Sequence, residues 1–317
     1  DFNASGFTNS ITNFSGTLDG DYKVISGLSR PLFTSTNGAT IKNVVLDAVS
    51  LTSSVTIDNG PTCLGAIAAY ASGNTKIYNC GILSKDGTSS VSGGNNTGSL
   101  VGYITGNTRV VNNYSYANVS GGQYVGGIVG RVEGQPLTKD NYNNTNHCAV
   151  TNNMFYGDLS GTSNVSPVYA GNHTSNVQNI NEYNFWRSKS NVRYNNYNNQ
   201  LAVDKDSYFN RFPFYRHIQN THRELAAIYL FGSRTDANVA EIGHWYNVKN
   251  DEKVLYPVIE KWHTNTKRTT VDIAVNLPTT TDKFAGKLLS NISADGYYTG
   301  TGQLVTTMGN AGYLTVN

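Results

Sequence analysis

Charge is in short supply along this chain. Only 14% of its 317 residues are Asp, Glu, Lys or Arg, and 23 basic against 21 acidic residues leave a formal charge of +2. That balance provides neither the electrostatic footprint of a nucleic-acid binder nor a basic stripe for an anionic membrane. It also removes the self-repulsion that keeps many polar chains unfolded. Cysteine is scarcer still. Cys63, Cys80 and Cys148 show no CxxC spacing and cannot all pair, so no structural zinc site is expected and burial as small hydrophobes is the favoured reading. Long apolar runs are absent: residues 225–231 (LAAIYLF) fall far short of a membrane span and fit a buried helix turn. The chain opens on Asp1 without Met or a signal peptide, which is the expectation for a trimmed mature region.

What is present is small and polar. Gly occurs 32 times and Asn makes up about one residue in eight, well above ordinary usage. The 21 Tyr and 11 Phe supply core material. Asn and Gly tolerate the left-handed backbone of tight turns, so this composition suits many short strands joined by turns. The phrase GAIAAYASG at residues 65–73 recurs as GSLVGYITG at 98–106 and as GGIVGRVEG at 126–134. A Val/Ile/Asn phrase accompanies each copy: Ile41-Lys42-Asn43-Val44, Ile77-Tyr78-Asn79-Cys80 and Val110-Val111-Asn112-Asn113. Repetition every roughly 27 to 40 residues means one unit built several times and stacked.

Within each unit the apolar runs are too short for helices and rich in β-branched residues. Like phrases return only after a full circuit, so they cannot pair as hairpins and must stack in parallel. The sequence therefore predicts an all-β solenoid, a parallel β-helix, over residues 1–194. Asn43, Asn79, Asn112 and Asn152 recur beside their strands. Two readings of them stay open: a ladder of stacked amides along the axis, or a turn conformation supplied locally by each Asn.

Composition changes after Tyr194. Residues 195–266 read as a linker and a capping helix, with Phe214, Ile218, Leu225, Ile228 and Tyr229 at roughly helical spacing. Such a helix is expected to cover the open end of the solenoid, where apolar side chains and strand edges would otherwise be exposed. Residues 245–262 read as two extended pieces around a polar turn, and residues 267–317 as a small β module, incomplete at Asn317.

The phrases FSGTLDGDYKVISGL (residues 14–28), GSLVGYITG and YSYANVSGGQYVGGIVG (114–130) resemble the GLUG repeat of bacterial surface proteins, found in adhesins, in surface-exposed proteases and in predicted surface proteins of gut Bacteroidetes. The resemblance spans about residues 14–174. It departs at Ala68 and Ala69, which stand where later copies have Val-Gly, and in a fourth copy that has lost most glycines. It implies a right-handed β-helix displayed outside the cell and anchored to an outer membrane in the full-length protein. It implies no catalytic activity, because such a repeat is a scaffold.

Chemistry is thin on this reading. Glycosidases need paired carboxylates across one groove, yet Asp47, Asp58, Asp86, Glu133, Asp140 and Asp158 are scattered and do not recur one unit apart. His217 and His222 are five apart, unlike the i, i+4 pair of a metalloprotease helix. Asp19-Gly20-Asp21 reads as a turn, since a calcium loop needs more carboxylates. The most suggestive surface stretch is residues 183–197 (YNFWRSKSNVRYNNY), where Tyr183, Trp186, Arg187, Tyr194 and Tyr197 could stack on sugar rings and bond their hydroxyls. The same aromatics could instead close the last coil. The expectation is a monomeric cell-surface adhesin or display scaffold that binds a glycan or a host surface protein, with no metal, cofactor, catalytic residue or nucleic-acid partner. The alternatives are a β-helix polysaccharide lyase or glycoside hydrolase, and a pure spacer.

Overall fold

The computed structural model describes residues 1–84, 88–133, 135–136, 147–171, 184–187, 201–203, 222–249 and 255–260. They form mostly β-strands in parallel sheets, with few helices. The chain divides into two compact units, one of Asp1–Ala202 with Glu224–Gly243, the other of Val203–Arg223 with His244–Asn317.

In the first unit the chain passes through its sheets in a fixed order. Phe33–Asn37 lies in a first sheet, Thr40–Lys42 in a second, Val45–Asp47 in a third and Ser50–Leu51 in a fourth; Ala68–Ser72 then returns to the first. The next circuits run through Lys76–Tyr78, Gly81–Ile82 and Ser90–Ser92, add a fifth sheet at Thr97–Gly98, and come back at Val101–Ile104, Val129–Val132 and Tyr169–Gly171. Each strand is parallel to its counterpart one circuit away: Phe33 pairs with Ala68, Ala68 with Val101, Val101 with Val129 and Val129 with Tyr169. Register follows the interior. Leu18, Ile41, Ile77, Val110 and Val150 stack on one another in the second sheet, the last four fully buried. Leu51, Val91, Val119 and Leu159 do the same in the fourth. Each buried Val, Leu or Ile contributes about 1.5–3 kcal/mol, and a one-residue slip would turn a whole column outward. One local exception is antiparallel: Val55–Thr56 and Thr62–Cys63 form a hairpin around the Asp58-Asn59-Gly60 turn, where Asn59 has φ 54°.

The repeated asparagines do both things that the sequence left open. Asn43, Asn79, Asn112 and Asn152 have φ of 55°, 55°, 57° and 54°, the left-handed turn conformation that closes one strand and starts the next. Their amides also form a ladder: Asn79 donates to Asn43 at 2.9 Å, Asn112 to Asn79 at 2.9 Å and Asn152 to Asn112 at 2.6 Å. Asp19 starts this column by accepting from the Asn43 amide at 2.9 Å. A second column, one residue on, links Cys80, Asn113, Asn153 and Asn184 through backbone N–H donors to side-chain oxygens. Two repeated glycines mark a close backbone approach. A Cβ on Gly102 would lie 2.5 Å from the Leu64 nitrogen, and one on Gly130 would lie 2.5 Å from the backbone of Asn96. Where Ala69 stands instead, its methyl packs beside Cys63 and Tyr103.

The described residues include two helices, α1 (His222–Phe231) and α2 (Asp236–Ala240). Ala226, Ala227 and Leu230 of α1 pack on Tyr78 and Val111, and Tyr229 packs on Ala149. These are outward residues of three successive strands of the second sheet, so α1 covers a flank; the reason is that Tyr78 and Val111 would leave an apolar patch in water. Residues 204–221, where the helical pattern was expected to begin, lie outside the described residues. Thr235 caps α2 by accepting from the Asn238 N–H at 3.2 Å. Beyond α2, Glu241–Gly243 docks on the asparagine column: Asn79 donates to the Glu241 carbonyl at 2.7 Å, Gly243 donates to Asn79 at 2.9 Å and Asn112 donates to the Gly243 carbonyl at 3.1 Å.

In the second unit, His244–Lys249 and Leu255–Glu260 form the expected pair of extended pieces as an antiparallel hairpin, with Trp245 opposite Ile259, both buried. The expected β module at 267–317 lies outside the described residues. All three cysteines are buried and unpaired with one another, and burial pushes each thiol up to about 12. They sit in the apolar clusters as packing residues.

Candidate functional site

A cleft of about 370 Å³ opens at the N-terminal part of the first unit, walled by three separate segments. Asn9 and Ser10 line it from one segment, Ser29, Arg30, Pro31 and Thr34 from a second, and Ser53, Ser54 and Val55 from a third. Hydrogen bonds hold the segments in place. The Ser10 hydroxyl donates to the Pro31 carbonyl at 2.6 Å, Ile11 N–H to the Leu32 carbonyl at 3.0 Å, and Thr34 N–H to the Ile11 carbonyl at 2.8 Å. Ser54 Oγ accepts from Gly94 N–H at 2.8 Å, which leaves its own O–H to donate. The wall holds hydroxyls and an amide, a carbon face at Val55, and no carboxylate. Its one ionisable side chain is Arg30.

Val55 also leads into the hairpin, where it and Ile57 pack with Cys63, Tyr70 and Tyr103 on the outside of the first sheet. Tyr70, Tyr103 and Arg131 share one register position in successive strands. The two rings stack at 5.5 Å and 16°, and the Arg131 guanidinium lies 5.1 Å from Tyr103 and 4.8 Å from Tyr124. Glu133 faces the same guanidinium at 3.5 Å. Tyr124 has φ 60°, at a level where neighbouring strands place Asn96 and Asn164 with φ 55° and 51°. A bulky ring in the left-handed region is costly, and here the cation–π sandwich holds it. Burial, with Glu133's charge adding to it, pushes the Tyr70 hydroxyl pKa up.

Of the five residues singled out from the sequence, Trp186 and Arg187 are among the described residues. Trp186 is only 6% exposed and belongs to the central core. Arg187 ends the strand Phe185–Arg187, whose neighbour is Met154–Phe155. Tyr183, Tyr194 and Tyr197 lie outside the described residues. The Tyr70–Tyr103–Arg131 column was missed, although its signal was present: all three hold the sixth place of the repeated nine-residue phrase. The cleft carried no such signal.

Among the described residues no group of three or more His, Cys, Asp or Glu could hold a metal ion. No helix among them is long and apolar enough to cross a membrane.

Residues 6–83 match the family model for the N-terminal region of M26 IgA1-specific metallo-endopeptidases. The match covers about a quarter of the chain and includes every residue that lines the cleft. No curated protein and no solved structure matches the chain.

Proposed function

We propose that the chain is a right-handed parallel β-helix of GLUG-like repeats, displayed at a bacterial cell surface, that binds glycan through its N-terminal cleft without cleaving it. The observation that carries this reading is the cleft wall: hydroxyls, an amide and a carbon face, with no carboxylate. Sugar recognition needs hydroxyl partners and a carbon face; sugar hydrolysis needs an acid and a base or nucleophile, for which this wall has no carboxylate. The fixed order of sheets and the in-register stacking support the coil architecture. A stack of circuits of this kind can also hold another domain away from an envelope.

The match over residues 6–83 supports a second reading, in which the chain accompanies the catalytic part of a peptidase and contributes none of the chemistry. Biolayer interferometry over immobilised polysaccharides, mucins and IgA1 separates these. Reversible mass gain on a glycan, lost in Ser53→Trp, is the expected result, because the new ring fills the cleft from an exposed position. Steady loss of the immobilised glycan would mean cleavage and overturn the non-catalytic reading. Binding to IgA1 alone would favour the second reading, and a flat trace would favour a pure spacer.

A further inference from the structure

We infer that the cleft takes an acidic sugar, with its carboxylate held by Arg30. This rests on the cleft being a saccharide site and names the class of ligand it accepts. Three other cations of the same unit have acidic partners: Lys42 lies 2.9 Å from Glu241 and 3.6 Å from Asp19, Arg131 faces Glu133, and Arg234 pairs with Glu224. Arg30 has no hydrogen bond or ion pair with any described residue, and no acid stands beside it on the cleft wall. Its backbone is nevertheless fixed. Pro31 follows it directly, is buried, and takes the Ser10 hydroxyl on its carbonyl at 2.6 Å, so the side chain leaves an anchored stretch of chain.

The rest of the wall complements a sugar ring. Ser29, Thr34, Ser53 and Ser54 present hydroxyls, and Val55 presents a carbon face for ring C–H groups. A volume of about 370 Å³ suits one or two rings. One guanidinium with no second cation fits a planar carboxylate, which it binds through two parallel N–H donors. A tetrahedral sulfate or phosphate ester matches that planar fork less closely. Two sugar types carry such a carboxylate: a terminal sialic-acid-type residue and a uronic acid.

Isothermal titration of the whole chain with sialyllactose, a hyaluronan tetrasaccharide, lactose and sulfated lactose tests the inference and distinguishes the two sources. One of the two carboxylated sugars is expected to bind, more weakly at higher salt. Arg30→Gln should weaken it by about tenfold or more and Arg30→Lys by less, because lysine keeps the charge but loses the fork. Arg30 is exposed, so both variants should melt at the wild-type temperature. Lactose bound as tightly as the acidic sugars, and indifferent to Arg30→Gln, would overturn the acidic ligand while leaving the cleft a glycan site. Preference for sulfated lactose would overturn the carboxylate assignment. No binding of any sugar, with both variants folded, would overturn this inference and the glycan reading beneath it.

Discussion

Asn112 combines two costs at one position. Its φ of 57° suits Asn or Gly, and its buried side chain bonds Asn79, Asn152 and the Gly243 carbonyl. Replacing it separates them. Asn112→Gly keeps the backbone conformation and removes the bonds, leaving buried partners unsatisfied at about 1–3 kcal/mol each before relaxation. Asn112→Ala adds the left-handed penalty of about 1–2 kcal/mol. Urea denaturation should therefore rank wild type above Gly above Ala, with the Gly variant already about 2–3 kcal/mol down. Equal stability of the Gly variant and wild type would mean the ladder contributes only turn geometry. His244 gives the pH counterpart. Burial first, then the charge of Arg223, lowers its pKa to about 2, so it is neutral in the folded state. An unfolded histidine binds a proton below about 6.5. Stability is thus full above that pH and falls as pH drops from 6.5 toward 2. At pH 5 the loss is about 2 kcal/mol. Melting of wild type and His244→Asn at pH 7 and pH 5 checks the sign: the wild type should lose more on acidification.

At the scale of elements, the stretch from Glu224 to Gly243 is joined to the stacked strands by one apolar patch and one polar seam. Leu230 is central to the patch, and Leu→Ala in such a place costs about 2–5 kcal/mol. Because the strands keep their own column of Ile41, Ile77 and Val110, the loss should be local. Hydrogen exchange on Leu230→Ala should show a faster Gly243 amide, which donates to Asn79, with Val110 unchanged. Equal acceleration at both would show that the segment is part of the global fold. This division follows what could be read beforehand. Nine-residue phrases and recurring asparagines were legible because every circuit must meet the same neighbours, so the register repeats in the letters. The fourth copy was faint for a physical reason: its strand Tyr169–Gly171 shifts register between Val129 and Arg131. Trp186 reads as a sugar platform or, the favoured reading, as closing the last coil, and only its burial decides between them. The cleft was illegible because Ser10, Ser29 and Ser53 are ordinary letters in a serine-rich chain, brought together by backbone bonds such as Thr34 to Ile11. The flank position of α1 was hidden too, since helical spacing shows which face is apolar without showing what it meets.

For the whole molecule, the proposed coil makes a demand that a globular fold does not. If each circuit contacts only its neighbours, one circuit can be removed provided the cut joins equivalent positions. Val101 and Val129 are such positions, paired directly in the first sheet. Deleting residues 101–128 joins Leu100 to Val129 and lets Val129 stack on Ala68, the former partner of Val101. Asn79 then meets Asn152 in the amide column, and Gly102 is replaced by Gly130, which tolerates the same close approach. The shortened chain should keep a β-type circular dichroism spectrum and unfold cooperatively, at lower denaturant because a circuit of buried aliphatics is gone. A control deletion of residues 101–114 removes half a circuit, turns interior columns outward and should not fold. Folding of both deletions, or of neither, would sink the nearest-neighbour coil. Folding of the full-circuit deletion alone would support it, and would leave the cleft, built wholly from residues 9–55, able to bind as before.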